Sequence, residues 1–179
     1  MKKSDINPMP EYFDRYINLV GDVEISQAID ESLEKLEDFD IEKLKKLDGK
    51  IYAPDKWTVK AIIQHLIDFE RILSYRALLF ARKDTNTRQS VDENLIAVNA
   101  KAERRKIEDL IAEYKAVRQA SKYLFASFDD EMLKNTGINW KYEIPVLGLG
   151  FAIIGHQIHH FKVIEEKYFP LIEKSSGAF

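Results

Sequence analysis

Apolar residues recur along this chain at steps of three and four, the period of helices that bury one face. Four stretches show the pattern. The first runs from about Val23 to Asp38, with Ile25, Ile29, Leu33 and Leu36 on one face, charges elsewhere, and Asp22 as the expected N-cap. The second begins after Trp57, with Thr58 as its expected N-cap, and continues to about Lys83 along the stripe Ile62, Leu66, Phe69, Leu73, Arg76 and Phe80. The third runs from about Arg104 to Phe128, through Ile107, Leu110, Ile111, Tyr114, Val117, Ser121, Leu124 and Phe125. The fourth, from about Pro145 to Tyr168, is apolar almost all round in its first half, as a helix covered on every side is.

No stretch alternates with the period of a strand bounded by hairpin turns, and no internal repeat is evident. The segment holding LDGKIYAPDKW, between the first two helices, and the polar KDTNTRQSVDENL after the second are both long. They exceed the roughly two to eight residues usual between neighbouring bundle helices. The pattern therefore predicts an all-α fold: a four-helix bundle with crossovers or short extra helices, not an up-down array. At 179 residues, a single domain spanning 1–179 with its own core is expected.

Composition narrows the function. Apolar residues make up 45% and charged residues 32%, as in a soluble globular protein. Lys plus Arg number 27 against 30 Asp plus Glu, a net charge of −3 with no basic tract, which argues against nucleic acid as a partner. The lack of cysteine removes disulfides, zinc ribbons and cysteine nucleophiles together, and fits a reducing cytoplasm. The opening MKKSDINPMPEYF has no apolar run behind its lysines, so no signal peptide is expected. The longest apolar stretch, Ile144 to Ile154, is too short to span a bilayer and contains Pro145, Gly148 and Gly150. A soluble, cytoplasmic protein without a membrane partner is expected.

Three of the four histidines sit in GHQIHHFKVIEE, Gly155 to Glu166. His156 and His160 are four apart, so both project from one helix face about one turn apart and can meet one divalent ion. The H-E-x-x-H zinc motif uses the same spacing. Here Gln157 stands where that motif has its glutamate, so the zinc-protease reading lacks a general base and is rejected. The remaining histidine, His65 in IIQHLIDFE, lies beside the inward stripe of the second helix. The plain alternative for such a residue is a hydrogen-bonded core histidine. Three histidines with open positions for water make a catalytic rather than a structural metal site. His159 points about a sixth of a turn away from His156, and a supporting contact, an interface and the surface all stay open for it.

A ligating histidine usually donates its other nitrogen to a carboxylate or carbonyl. Asp68, Glu70, Glu165 and Glu166 lie nearby, although each reads first as a solvated helix-face charge. Arg76 and Arg118 interrupt apolar stripes, either as anion clamps or as partly buried ion pairs, with the ion pair preferred. Arg76 is eleven residues past His65, about 16 Å along the axis. It cannot share a metal with His65, and lines a distant part of a pocket or holds the fold together.

KWTVKAIIQHLIDFER resembles the W-[ST]-x(6)-H-[LI]-x-[DE]-x-E segment of the DinB/YfiT-like family, and GHQIHHFKVIEE looks like that family's H-x-x-H-H segment. YRALLFARKD and DLIAEYKAVRQAS are similar to stretches of one subgroup, so the likeness covers nearly the whole chain. The resemblance implies a four-helix bundle of unusual topology that often dimerises. It also implies a divalent metal, nickel or zinc, on three histidines that fall here on His65, His156 and His160. Trp57 and Thr58 match the family's helix start, and Arg76, Arg105 and Arg118 match arginines common in the subgroup. The family often completes a capping box with an acid three residues after the cap, where this chain has Ala61. Some relatives are bacillithiol-using S-transferases or mycothiol-dependent isomerases, and others are classed as metal-dependent hydrolases. The resemblance thus implies a metal-dependent hydrolase, or an S-transferase with a low-molecular-weight thiol cosubstrate, acting on a small molecule. The alternative is a non-catalytic metal-binding or stress-related helical dimer. A homodimer is also expected from the excess apolar surface of the fourth helix.

Overall fold

The computed structural model describes residues 1–84, 86 and 90–172. In chain order the elements are α1 (Asp14–Ile17), α2 (Ile25–Glu37), α3 (Ile41–Lys45), α4 (Val59–Ala81), α5 (Glu93–Ala100), α6 (Ile107–Ala126), α7 (Asp130–Lys134), β1 (Thr136–Asn139), β2 (Tyr142–Pro145) and α8 (Val146–Val163). The last helix continues as a π-helical turn over Ile164–Tyr168. The four long helices fall where the apolar periods place them, with ends a few residues inside the expected limits.

Helix α4 packs on α6 and α8, and α2 packs on the same two. Thus α2 faces α4, and α6 faces α8, across the diagonals of the bundle. The long segment after α4 joins the neighbours α4 and α6 and carries α5, whereas the other two of the three steps between successive long helices cross a diagonal. The first holds α3, and the last holds α7 and the hairpin. Part of KDTNTRQSVDENL lies outside the described residues.

Local chemistry sets the helix starts. Thr58 Oγ1 accepts from Ala61 N at 3.2 Å and its hydroxyl donates to the carboxylate of Glu103. An acid distant in sequence therefore braces the cap that lacks one at Ala61. Asp22 does not cap α2. The helix begins after Glu24, and Asp22 Oδ1 instead accepts from Ser4 N at 2.8 Å, tying down the N-terminal segment.

The expectation of no strands is corrected by the β1–β2 hairpin, in which Asn139 pairs with Tyr142 across the two-residue turn Trp140-Lys141. The turn lacks the Asn-Gly or Asp-Gly signature that marks such hairpins. Trp140 takes the left-handed conformation at φ 59°, with its ring packed edge-on to Tyr12 at 5.1 Å and Tyr142 at 5.6 Å.

Helix α8 is buried from Val146 through Gln157, under α1, α2, α4, α7 and β2. Its apolar surface is consumed within the chain, which removes the reason for expecting a dimer face there. Gly155 is needed for this closeness, since a Cβ at that position would lie 1.9 Å from the carbonyl oxygen of Tyr16 in α1. Helix α5 packs on α4 but buries no residue fully, and it exposes Leu95 and Val98 by 62% and 76%.

One polar network crosses the core. Arg118 is 0% exposed and Glu70 3% exposed. Arg118 Nε and Nη2 each donate to a carboxylate oxygen of Glu70 at 2.8 Å, a bidentate pair between α6 and α4. Arg118 Nη1 also donates to Ser32 Oγ on α2, and Gln157 Nε2 on α8 donates to the Ser32 carbonyl at 3.0 Å. Glu70 is therefore no solvated charge, because it faces α6 rather than water. Burial alone lowers the basicity of Arg118, and Glu70 together with Tyr114 more than offsets it, for a net upward shift. Replacing Arg118 with Met strands a buried carboxylate and is expected to cost about 3–5 kcal/mol in urea denaturation. The double variant Arg118→Met, Glu70→Leu is expected to recover most of that loss, since no unpaired charge then remains.

Candidate metal centre

His65 projects from the middle of α4, and His156 and His160 from one face of α8. The bundle brings these two helices side by side, and the three rings converge. Nε2 of His156 lies 3.1 Å from Nε2 of His65 and 3.1 Å from Nε2 of His160. His65 and His156 are buried and His160 is half-buried. One nitrogen of each lies within 4.8 Å of the others.

The donor set fits a divalent ion. A tetrahedral centre with Zn–N near 2.0–2.1 Å needs neighbouring nitrogens about 3.3 Å apart, close to the separations present. Without a cation the three nitrogens are poorly matched: a neutral imidazole has one N–H, so His156 Nε2 cannot donate to both neighbours. Metal ligation also requires neutral imidazoles. Burial lowers the His65 pKa to about 4 and, with smaller contributions from the charges of His65 and His159, that of His160 to about 3. It drives His156 well below the ordinary value, reinforced by the charges of His160 and His65.

Aromatic rings, not acids, hold the ligands in place. His65 sits between Trp57 and Phe69, with ring centroids at 4.8 and 4.5 Å, and Tyr16 of α1 lies edge-on to His156 at 5.0 Å. Among the described residues His65 Nδ1 has no hydrogen-bond partner. The acids considered as its support are engaged or distant. Asp68 accepts from Gln64 at 2.9 Å, Glu70 pairs with Arg118, and Glu165 and Glu166 are exposed. Arg105 joins Gln64 and Glu113 on the α4–α6 side, away from the histidines. His159 is exposed and lies outside the three-histidine group, its ring against Tyr16 and His160.

A cavity of about 330 Å³ opens beside His156. Tyr12, Phe13 and Tyr16 from the α1 region, Phe69, Leu73 and Arg76 from α4, Asn139 and Trp140 from the hairpin, and Ser90 to Glu93 line it. Arg76 lines the cavity, one of the two places that its distance along α4 from His65 leaves open, rather than only the ion pair preferred from the sequence. Of the N-terminal and hairpin residues, the chain gives one local signal, the aromatic density of EYFDRY. Burial raises the Tyr16 phenol pKa, partly countered by Arg15, so the hydroxyl stays protonated at neutral pH.

The lowered histidine pKa values have a consequence for stability. The unfolded chain protonates these rings below about pH 6.5, while the folded metal-free chain resists until about pH 4 at His65 and about 3 at His160. Their contribution is thus complete above pH 6.5 and is lost as pH falls toward 4. The thermal midpoint of EDTA-treated protein is expected to drop across this window. A variant with leucine at 65, 156 and 160 is expected to show a flatter profile between pH 6.5 and 5 in the same scan.

A search of curated protein sequences finds no match to this chain. Among solved structures, YfiT from Bacillus subtilis, described as a probable metal-dependent hydrolase with an unusual four-helix bundle topology, shares the fold. The two align with a TM-score of 0.65 and 17% identity, over 90% of this chain and 88% of YfiT. The family model of the DinB superfamily matches residues 24–164, from the start of α2 to the end of α8, and takes in all three histidines. The chain belongs to the DinB superfamily.

Proposed function

We propose that this protein is a metal-dependent enzyme in which Nε2 of His65, His156 and His160 holds a divalent ion, nickel or zinc. The observation that carries the proposal is the meeting of three neutral imidazoles, at Nε2 separations of 3.1 Å, beside a cavity. Three protein ligands leave coordination positions for other molecules, as in catalytic rather than structural sites. A divalent ion there supplies Lewis acidity and brings the pKa of a bound water or thiol toward neutrality.

The chain's own residues do the rest. Trp57 and Phe69 clamp the His65 ring, so that its Nε2 needs no reorientation to bind. Tyr16 and Phe69 wall the cavity where it meets His156, presenting apolar surface to a small molecule. Hydrolysis of a small-molecule substrate is the favoured reaction, in keeping with the description of YfiT. S-transfer is the second, and it requires the thiol to arrive as a cosubstrate, because the chain has no cysteine.

Untagged protein reconstituted with nickel or zinc is expected to bind about one ion per chain, and His156→Ala to retain almost none, by elemental analysis. Ester or amide cleavage without added thiol supports hydrolysis, whereas thiol-dependent consumption of an electrophile supports transfer. Undiminished metal binding by His156→Ala would falsify the site, and an ion enclosed by protein ligands alone would indicate the non-catalytic alternative.

We also propose a cytoplasmic location, in line with the absence of cysteine; no described helix is long and apolar enough to cross a membrane. A homodimer is proposed from the resemblance to the family, with the exposed apolar side of α5 as the contact. Sedimentation equilibrium is expected to give twice the 20.8 kDa chain mass, and Leu95→Glu with Val98→Glu to give the monomer.

A further inference from the structure

The cavity beside His156 is polar in a particular way. Its acids, Asp92 and Glu93, are exposed, and Asp92 is occupied in accepting from Asn94 N and Leu95 N at the start of α5. Its buried polar side chains other than His156 are Arg76, 6% exposed, and Asn139, 3% exposed. These two come from separate elements, α4 and the hairpin, and both line the cavity. The Asn139 residue is buried in the fold, and its side chain lines the cavity. Much of the remaining lining is apolar and aromatic, including Phe13, Tyr16, Phe69, Leu73 and Ala152.

We propose that this cavity binds a small carboxylic acid with an apolar or aromatic body, its carboxylate held by the Arg76 guanidinium and the Asn139 amide and its body extending toward His156. A guanidinium carries five N–H donors in a planar fork, so Arg76 can keep a contact to the protein and still offer two donors to a carboxylate. The Asn139 amide supplies a third donor. A cavity of about 330 Å³ is near the lower bound for small-molecule sites, which limits the ligand to a compact molecule. This deepens the reading of the metal site by giving its substrate class, and rests on that reading only for which end of the ligand reacts.

The test is calorimetric titration with three probes of equal length: 4-phenylbutyrate, 4-phenylbutan-1-ol and 4-phenylbutylamine. Each is run on metal-loaded and on EDTA-treated protein. The acid is expected to bind at least about tenfold tighter than the alcohol or the amine in both forms, as hydrogen bonds to a charged group require. Arg76→Gln is expected to erase that preference. Asn139→Asp, which leaves the hairpin backbone pairing in place, is expected to weaken the acid and strengthen the amine, and carries the test if Arg76→Gln fails to fold. Equal binding of all three probes, binding of none, or a preference that survives both variants overturns the proposal. So does an acid preference present only with metal, because the metal then holds the carboxylate. A preference that persists in protein unable to bind metal upholds the proposal while the metal reading fails.

Discussion

The bidentate pair between Arg118 and Glu70 is the interaction on which the rest of this structure depends. An arginine with no exposed surface is tolerated only where its charge is met and its donors are used. Here they reach Glu70 on α4 and Ser32 on α2, while Gln157 of α8 binds the Ser32 carbonyl. All four long helices are thus tied at one level of the bundle. Glu70 is five residues beyond His65 on α4, and Gln157 is the residue after His156 on α8. A network that sets these two helices in register also sets the distance between their histidines. Apolar packing alone, which lacks direction, allows neighbouring registers at little cost.

The histidine cluster relies on a different principle. Carboxylates commonly orient metal-binding histidines, but this site uses ring packing and desolvation instead. Trp57 and Phe69 bracket His65, and Tyr16 covers His156. Burial keeps the rings neutral, so their lone pairs stay available for a cation over the physiological range. The same desolvation makes the cluster a source of acid sensitivity in the metal-free chain. The close approach of α1 to α8 at Gly155 belongs to this design, since it carries Tyr16 onto the His156 ring.

Much of this was legible in the chain. The three- and four-residue periods locate α2, α4, α6 and α8, because helix periodicity follows directly from which side chains are apolar. The i, i+4 spacing of His156 and His160 marks a shared face by helix geometry alone. Other features were misread for identifiable reasons. Glu70 looked solvated because a helix-face acid gives no local sign that a buried arginine awaits it 48 residues later. The hairpin escaped notice because Trp140 occupies a turn position ordinarily held by Asn, Asp or Gly, under the constraint of aromatic neighbours distant in sequence. The apolar girth of α8 suggested an external partner, but the chain itself covers it.

By itself, then, the sequence determined the class of fold, the four long helices and the histidine pair on α8, since each depends on residues within a turn or two of one another. Only the tertiary structure decided how far His65 lies from that pair, that no carboxylate among the described residues supports it, and that Arg76 and Asn139 line one cavity with aromatic residues from the N-terminus. Those facts depend on contacts between segments tens of residues apart, and local propensity carries no record of which segments meet.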